Sequence, residues 1–325
     1  PFESSGLIDI PRSGSHRAAV YQFSVGPWRW FELLWPNFGG RPFPDNQRWI
    51  TAIPAEGRYW TPTLYMGLLP FLLGLSAFRP KAAPAHPLRR WLIACTVFFT
   101  LASLGYYGGA WLVDETRLAL GAFPPEHWGP VGGLYWLMTI VLPGFVTFRY
   151  PAKLWTVVSI SLSLLAALQI DQCVGTDARR LQRALMGYLA LTLAPLLGAV
   201  YTVFRPDWIA APSDAIYGPF DVDGAVVGVI AAVVHGVVVA GVIGWAAGRW
   251  STRRRGTVGR ELIRLMVLVT AVDLTIAHLW LVPTVADATV HSPAPAFLHP
   301  DENSPPPRYL RWTVDSWYPQ QWSLR

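Results

Sequence analysis

The sequence predicts an all-α polytopic membrane protein with about six transmembrane helices, one re-entrant or broken helix, and external loops. Three observations favour this class. Only 14% of the 325 residues are charged and 52% are hydrophobic, whereas soluble domains carry about 25% charged residues. Several apolar stretches follow one another along the chain, and 17 tryptophans are available for membrane interfaces, where this residue is enriched. The composition argues against a soluble enzyme, a disordered chain and a nucleic-acid-binding module.

The distribution of apolar residues predicts three segments. Residues 1–57 form an external loop rich in aromatic residues and proline, and they include an interfacial helix. Residues 58–283 form the transmembrane helical domain, since a crossing takes about 17–25 apolar residues and an open segment can cross only as a helix. Residues 284–325 begin a second external segment. The apolar stretches are Tyr59–Phe78, Trp91–Val113, Val131–Phe148, Leu154–Ile170, Ala184–Phe204, Gly224–Gly248 and Leu265–Val282.

The positions of Lys and Arg predict which loops face the cytoplasm, because cytoplasmic loops are enriched in these residues. Loops 79–90, 171–183 and 249–261 contain four, three and five of them, whereas loops 114–130 and 205–223 contain one each. All three basic loops are therefore predicted to lie inside. Three apolar stretches separate the first two basic loops, however, and three crossings would put those loops on opposite sides.

The stretch Val131–Phe148 is predicted to resolve this conflict by not crossing. It opens with Gly132-Gly133 and contains Pro143-Gly144, so it would enter from the outer side and return there as a re-entrant or broken helix. Such backbone is tolerated only where it is buried in protein or lines a cavity. The alternative is seven plain crossings with a weak charge bias. With six crossings, the external segments are residues 1–57, 109–153, 205–223 and 284–325.

The segment FRYPAK, residues 148–153, places two cations four residues apart beside the membrane. Because proline disfavours the α conformation of the residue before it, Arg149 is expected just ahead of a break and Lys153 in the first turn of the next helix. A planar guanidinium and an ammonium that point at one anion suit phosphate oxygens. The alternative is a pair of interfacial cations that reach up to lipid headgroups.

The run PGFVTFRYPAKLW resembles the R-x-P-x-K segment of bacterial YfhO-like membrane proteins, relatives of the C-type (GT-C) glycosyltransferases. Four other short segments resemble parts of that family in the expected order. They are WPNFGG (Trp35–Gly40), RYWTPTLYMGLLPFLL (Arg58–Leu73), VDLTIAHLWLVPT (Val272–Thr284) and PPPRYLRW (Pro305–Trp312). The resemblance implies a GT-C-like fold in the bacterial inner (cytoplasmic) membrane.

The same resemblance implies a function. A sugar would pass from a polyprenyl-phosphate carrier to an envelope glycan or lipid on the outer face, and Arg149, Tyr150 and Lys153 would bind the phosphate of the donor. The catalytic base of such enzymes is an acidic residue in an external loop after the first helix. Since the chain begins with Pro1 rather than Met, it is expected to be a fragment that lacks this base, and its catalytic residue stays unassigned.

Residues 26–40 are predicted to form the short interfacial amphipathic helix. Trp28, Phe31 and Trp35 recur at a spacing of three to four residues, so they would share the face that contacts lipid or the core. An aromatic belt explains this pattern, and a sugar-acceptor cleft in the same external segment is the sharper alternative. The candidate residues of that cleft are Glu32, Arg41, Asp45 and Glu56.

Two ionisable residues, His235 and Asp273, lie deep in the last two apolar stretches. If these stretches form an antiparallel hairpin that turns near residue 255, the two residues lie within about 3 Å of each other along the helix axis. They are expected to form a hydrogen bond where the helices touch. A packing contact and a proton relay or transport role are both open for this pair, because ionisable groups inside a membrane are candidates for function.

No motif for a nucleotide, a dinucleotide or a metal occurs in the sequence. No metal is therefore expected, and the dispersed basic residues argue against a nucleic-acid partner. The alternative function is non-enzymatic: a transporter or flippase of lipid-linked sugars, or a membrane assembly subunit. A transporter is expected to contain paired broken helices in two repeated halves, whereas the sequence shows one broken segment and no repeat.

Overall fold

A computed structural model describes residues 20–43, 45–49, 61–79, 87–121, 129–176, 178–205, 209, 218–251 and 258–281. Within these ranges the chain is all-helical, with nine α-helices and no strand. The helices are α1 (Leu68–Ser76), α2 (Pro87–Ser103), α3 (Gly109–Ala119), α4 (Leu134–Val141), α5 (Trp155–Thr176), α6 (Ala178–Leu191), α7 (Leu193–Phe204), α8 (Val222–Ser251) and α9 (Val258–His278). Short 3-10 turns occur at Pro27–Leu33, Phe145–Thr147, Pro151–Leu154 and Leu279–Leu281. The predicted external segment 284–325 lies outside the described residues.

Four segments are long and apolar enough to cross a membrane. They are Pro151–Ile170, Leu181–Phe204, Val222–Gly248 and Ile263–Leu281, which match the last four predicted apolar stretches. Each has about the 20 residues that a crossing needs, and each leaves large apolar side chains exposed along its length. This is the architecture of a multi-pass membrane protein that associates with a lipid bilayer.

The stretch predicted at Ala184–Phe204 is divided between α6 and α7, which meet at Thr192. Pro195 explains this division, because proline has no N–H and its ring clashes with the carbonyl four residues earlier in a regular helix. The two helices still follow each other along the chain and form one of the four segments.

The stretch predicted at Tyr59–Phe78 forms a much shorter helix than its apolar length indicates. Residues 61–67 are not helical, and α1 contains only nine residues, about 14 Å at 1.5 Å per residue. Gly67 precedes α1 with a φ of 95°, a left-handed conformation that favours glycine. The chain therefore begins α1 only after a non-helical approach.

The stretch Val131–Phe148 is interrupted at the predicted place. The eight residues of α4 extend about 12 Å, well short of the ~30 Å of a bilayer's hydrocarbon core. Gly144 then takes a left-handed conformation with a φ of 73°, and a 3-10 turn follows. Helix α4 is therefore too short to cross a membrane on its own.

Helix α5 packs against both α1 and α2, and α8 packs against α6, α7 and α9. Residues 20–49 are part of this bundle, since Tyr21, Val25 and Trp35 are buried in its cores. The short helix predicted in residues 26–40 is a 3-10 helix over Pro27–Leu33, and its position at a membrane interface stays a prediction. Arg29 and Glu32 on it are each 2% exposed, and the two opposite charges pair with each other. Phe31, by contrast, is 48% exposed.

Candidate functional site

Asp273 on α9 is the centre of a buried polar network and is only 2% exposed. Its carboxylate accepts hydrogen bonds from the Tyr65 hydroxyl at 2.8 and 2.9 Å and from the Leu68 N–H at 3.1 Å. Nε2 of His235 on α8 lies 2.6 Å from Oδ1. The structure thus brings His235 and Asp273 together, as their equal distance from the predicted turn indicated. It adds two partners that were not predicted from the sequence, Tyr65 and the Leu68 N–H.

The contact with Leu68 has a clear physical reason. Leu68 is the first residue of α1, and the first N–H groups of a helix have no acceptor within it. A carboxylate there also lies at the positive end of the helix dipole. Asp273 therefore acts as a cap for α1 from a distant helix. The sequence contains one indication of this cap. Gly67 precedes α1 and has no side chain that could cap the helix, so the acceptor had to come from elsewhere in the fold.

The opposite end of α1 is also held by a distant side chain. The Arg89 guanidinium on α2 donates to the carbonyl of Ala77 from Nε at 2.9 Å and from Nη2 at 2.6 Å. A further bond from Nη2 reaches the carbonyl of Arg79 at 2.7 Å. Cations are favourable at the C-terminal end of a helix, so both ends of this short helix depend on tertiary contacts.

Glu32 anchors the non-helical residues 61–67. Its two carboxylate oxygens each accept a bond from Arg29 at 2.9 Å, and Oε2 also accepts the Leu64 N–H at 3.0 Å. Arg29 Nη2 in turn donates to the carbonyl of Thr61 at 2.9 Å. Backbone groups that a helix would have paired internally are thus satisfied by a buried ion pair.

The predicted acceptor cleft is not assembled as expected. Glu32 is buried against Arg29 and does not line an open cleft, because its oxygens are occupied by the bonds described above. Asp45, four residues after Arg41 in the chain, is exposed. Glu56 lies outside the described residues. Of the four candidates, Arg41 lines a cavity.

This cavity has a volume of about 610 Å³ and lies between the loop at residues 36–47, the first half of α8 and the last turns of α9. Glycine, alanine and valine residues form most of its α8 wall, and the lining also contains three polar side chains and the Arg41 guanidinium. The residues that line it are Pro36, Asn37, Gly40, Arg41, Gln47, Gly224, Ala225, Val227, Gly228, Ala231, Ala232, Val234, His235, Ile276 and Ala277. Its size is that of a small-molecule site, and such sites combine apolar walls with a few polar groups.

Two side chains fix the loop to the helices. Asn37 donates from Nδ2 to the carbonyl of Ala277 at 3.0 Å and accepts a bond from the Trp280 indole at 2.7 Å. Gln47 donates to Asp221 at 3.2 Å, and Asp221 also caps α8 by accepting the Gly224 N–H at 2.9 Å. Hydrogen bonds to the end of α9 and to the start of α8 therefore hold this loop beside the cavity.

Arg41 and His235 are the titratable groups in the lining of this cavity. The Arg41 guanidinium lies 5.6 Å from the centre of the Trp280 ring, and burial lowers the pKa of this guanidinium. The His235 side chain is 14% exposed, and its Nε2 is occupied by Asp273. The network at Asp273 and the cavity therefore meet at His235.

The two cations of the FRYPAK segment are both exposed. The Lys153 ammonium lies over the Tyr150 ring at 4.9 Å and the Phe148 ring at 5.9 Å. Tyr150 has a φ of 71°, a conformation that costs energy for a bulky residue and is typical of constrained segments. Lys153 thus faces aromatic rings, and the binding of one anion by Arg149 and Lys153 together stays a prediction.

The break that holds these residues follows from local sequence. Pro151 begins a 3-10 turn that leads directly into α5, as expected for Lys153 in the first turn of a helix. Tyr135 donates a hydrogen bond to the carbonyl of Phe148, and the Tyr150 ring packs edge-on against Phe23 at 4.8 Å. The segment is thereby fixed to α4 and to the N-terminal part of the described chain.

No family model, curated protein or solved structure matches this chain. Within the described ranges, no three His, Cys, Asp or Glu side chains are grouped so that they could hold a metal ion. The function of the chain has to follow from the geometry of its sites and from the resemblance of its short motifs.

Proposed function

We propose that the chain is the membrane-embedded part of a GT-C-like glycosyltransferase. It transfers a sugar from a polyprenyl-phosphate carrier to an envelope glycan or lipid, on the outer face of the bacterial inner membrane. The observation that carries this proposal is the position of Arg149 and Lys153, which are exposed cations next to the exposed aromatic residue Phe148. A lipid-linked phosphate has the complementary combination of an anion and an apolar chain.

The chemistry requires stabilisation of a leaving group. The acceptor hydroxyl gives its proton to the carboxylate base of the enzyme, which is unassigned, and its oxygen forms a bond to the anomeric carbon of the sugar while the bond from that carbon to the carrier phosphate breaks. The phosphate leaves with the bonding electron pair, so a fixed cation beside it stabilises the charge that develops in the transition state. Arg149 suits this role because its fork can bind two phosphate oxygens. Lys153 contributes a second positive charge and is positioned by the rings of Phe148 and Tyr150.

The proposed topology has six crossings. They are residues 61–79 with α1, then α2, α5, the α6–α7 unit, α8 and α9, while α3 and α4 lie on the outer side. Support comes from the basic loops 79–90, 171–183 and 249–261, which this arrangement places inside. A non-helical approach to α1 is compatible with a membrane because Glu32 and Asp273 accept its backbone N–H groups.

This topology predicts the accessibility of single cysteines. With Cys95 and Cys173 replaced by serine, Arg254→Cys is expected to react with a membrane-impermeant maleimide only after the cells are opened. Ala211→Cys in the acidic loop 205–223 is the matched control and is expected to react in intact cells. Reaction of residue 254 in intact cells would contradict six crossings.

Arg149→Ala is expected to reduce sugar transfer about 100-fold, a typical cost for losing one group that stabilises transition-state charge. The measurement is transfer of a radiolabelled sugar from a polyprenyl-phosphate donor in membranes that contain the full-length protein. Arg264→Ala is the matched control, since Arg264 is an exposed cation paired with Glu261 on α9. Equal transfer by Arg149→Ala and the wild type would remove Arg149 from the proposed site.

A second candidate function, transport of lipid-linked sugars, is favoured by one observation. The structure contains a second interrupted segment, residues 61–67 before α1, and its helical end contacts the buried pair His235 and Asp273. Interrupted helices whose ends meet polar groups are characteristic of transporter sites. Movement of a fluorescent lipid-linked sugar across proteoliposomes, without its chemical conversion, would favour this second function over transfer.

A further inference from the structure

The Arg41 guanidinium is a half-buried cation that lines a cavity. Among the residues that the structure describes, no carboxylate lies within ion-pair distance of it, and its aromatic contact is the Trp280 ring at 5.6 Å. Removing a charge from water is costly unless an opposite charge or hydrogen bonds compensate. The direction of its pKa shift agrees with this burial. An anion in the cavity would supply the missing partner.

His235 adds a second polar group to the same cavity. Nε2 contacts Asp273, and Nδ1 has no hydrogen-bond partner in the part of the chain that the structure describes. Both ring nitrogens of histidine can take part in hydrogen bonds, so Nδ1 can bond to a polar group of a ligand. Arg41 supplies the fixed positive charge of the lining, which a monoanion would match.

The shape of the cavity favours a ligand larger than an inorganic ion. Its volume is about 610 Å³, within the range of sites for organic molecules. Three residues of its lining, Val227, Val234 and Ile276, are large exposed apolar side chains on two of the membrane-crossing candidates α8 and α9. The cavity therefore borders the surface where lipid chains would lie.

We propose that this cavity binds the phosphodiester headgroup of an anionic phospholipid, with Arg41 as the charged ligand and His235 as a second polar contact. A phosphodiester carries one negative charge, which matches the fixed positive charge of Arg41, and the chains of the lipid can leave between Val227, Val234 and Ile276. This site is separate from Arg149 and Lys153. It rests only on the membrane location within the proposed function and not on sugar transfer.

The glycines of α8 provide a variant that fills the cavity without disturbing the fold. A Cβ added at Gly228, which lines the cavity, meets no atom within 4 Å. The same holds for Gly241 on the same helix, which does not line the cavity. Since leucine also favours a helix more than glycine does, Gly228→Leu and Gly241→Leu form a matched pair of blocking and control variants.

The test uses the full chain purified in detergent and native mass spectrometry of bound phosphatidylglycerol, with diacylglycerol as a probe of the same chains without phosphate. The wild type is expected to retain phosphatidylglycerol and not diacylglycerol. Arg41→Gln is expected to lower this retention about tenfold, the effect of losing one charge-assisted hydrogen bond. Gly228→Leu is expected to lower it because the leucine side chain occupies the cavity. Gly241→Leu and Arg264→Gln are expected to bind like the wild type, and the unfolding temperature of each variant checks its fold.

Retention by Gly228→Leu at the level of Gly241→Leu would overturn the proposal, whatever the fold of Arg41→Gln. Displacement of the lipid by millimolar inorganic phosphate would show a site for soluble phosphate and would also overturn it. Arg149→Ala distinguishes this proposal from sugar transfer. Since Arg149 does not line the cavity, this variant is expected to lose transfer and to retain phosphatidylglycerol like the wild type.

Discussion

Asp273→Ala is expected to lower the free energy of unfolding by about 3–5 kcal/mol, the usual cost of removing one partner from a buried charged pair. The substitution leaves the Tyr65 hydroxyl and His235 Nε2 without their acceptor. The Leu68 N–H loses the carboxylate and keeps only the Tyr65 hydroxyl oxygen at 3.1 Å as its acceptor. Each buried polar group left unpaired adds to the cost. Equilibrium unfolding in mixed micelles, with increasing fractions of a denaturing detergent, measures the change.

The matched control is Glu261→Ala on the same helix. Glu261 pairs with Arg264 at 2.9 Å, but the two side chains are 67% and 73% exposed, and exposed pairs contribute about 0–1 kcal/mol. Asp273→Asn keeps one acceptor oxygen and is expected to cost less than Asp273→Ala. Similar losses for Asp273→Ala and Glu261→Ala would show that the network does not stabilise the fold.

Glu32→Ala is the second variant for which we expect a large effect, a loss of about 3 kcal/mol or more of unfolding free energy. Arg29 would lose the buried carboxylate that accepts two of its hydrogen bonds, and the Leu64 N–H would lose its acceptor. The measurement is the same detergent titration. Glu115→Ala on α3, where the side chain is exposed, is expected to change little.

A double replacement separates the charge from the packing at this position. Arg29→Met combined with Glu32→Leu removes both charges and keeps similar volume, and apolar replacements of a whole buried pair are often neutral or stabilising. The double variant is therefore expected to be more stable than Glu32→Ala. If the double variant is as unstable as Glu32→Ala, the lost unfolding free energy comes from altered packing of the segment and not from breaking the Arg29–Glu32 ion pair.

The longest helices could be predicted from the sequence because their apolar stretches are continuous. The break after α4 was also predictable, since Pro143 and Gly144 disfavour a helix locally. His235 and Asp273 could be related because counting from a shared turn fixes their depth. These features depend on residues that are close in sequence or on one regular repeat.

The buried role of Glu32 could not be predicted in the same way. Its charge indicated exposure. The Leu64 N–H that donates to Glu32 and the Thr61 carbonyl that accepts from Arg29 both lie about 30 positions further along the chain. The cavity at Arg41 is formed by three segments that are distant in sequence. The periodicity of apolar residues does not indicate which distant segments contact each other. The only basis for the predicted acceptor cleft was therefore that its residues lie on the same side of the membrane.

The cap on α1 also constrains the order in which the chain can be completed during synthesis. The Leu68 N–H and the Asp273 carboxylate that accepts its hydrogen bond are 205 residues apart, so ribosomes release the first helix long before its cap exists. Until Asp273 has been synthesised, the Leu68 N–H has the Tyr65 hydroxyl or water as its acceptor. The contact between α1 and α9 therefore forms only after the last described helix has been made.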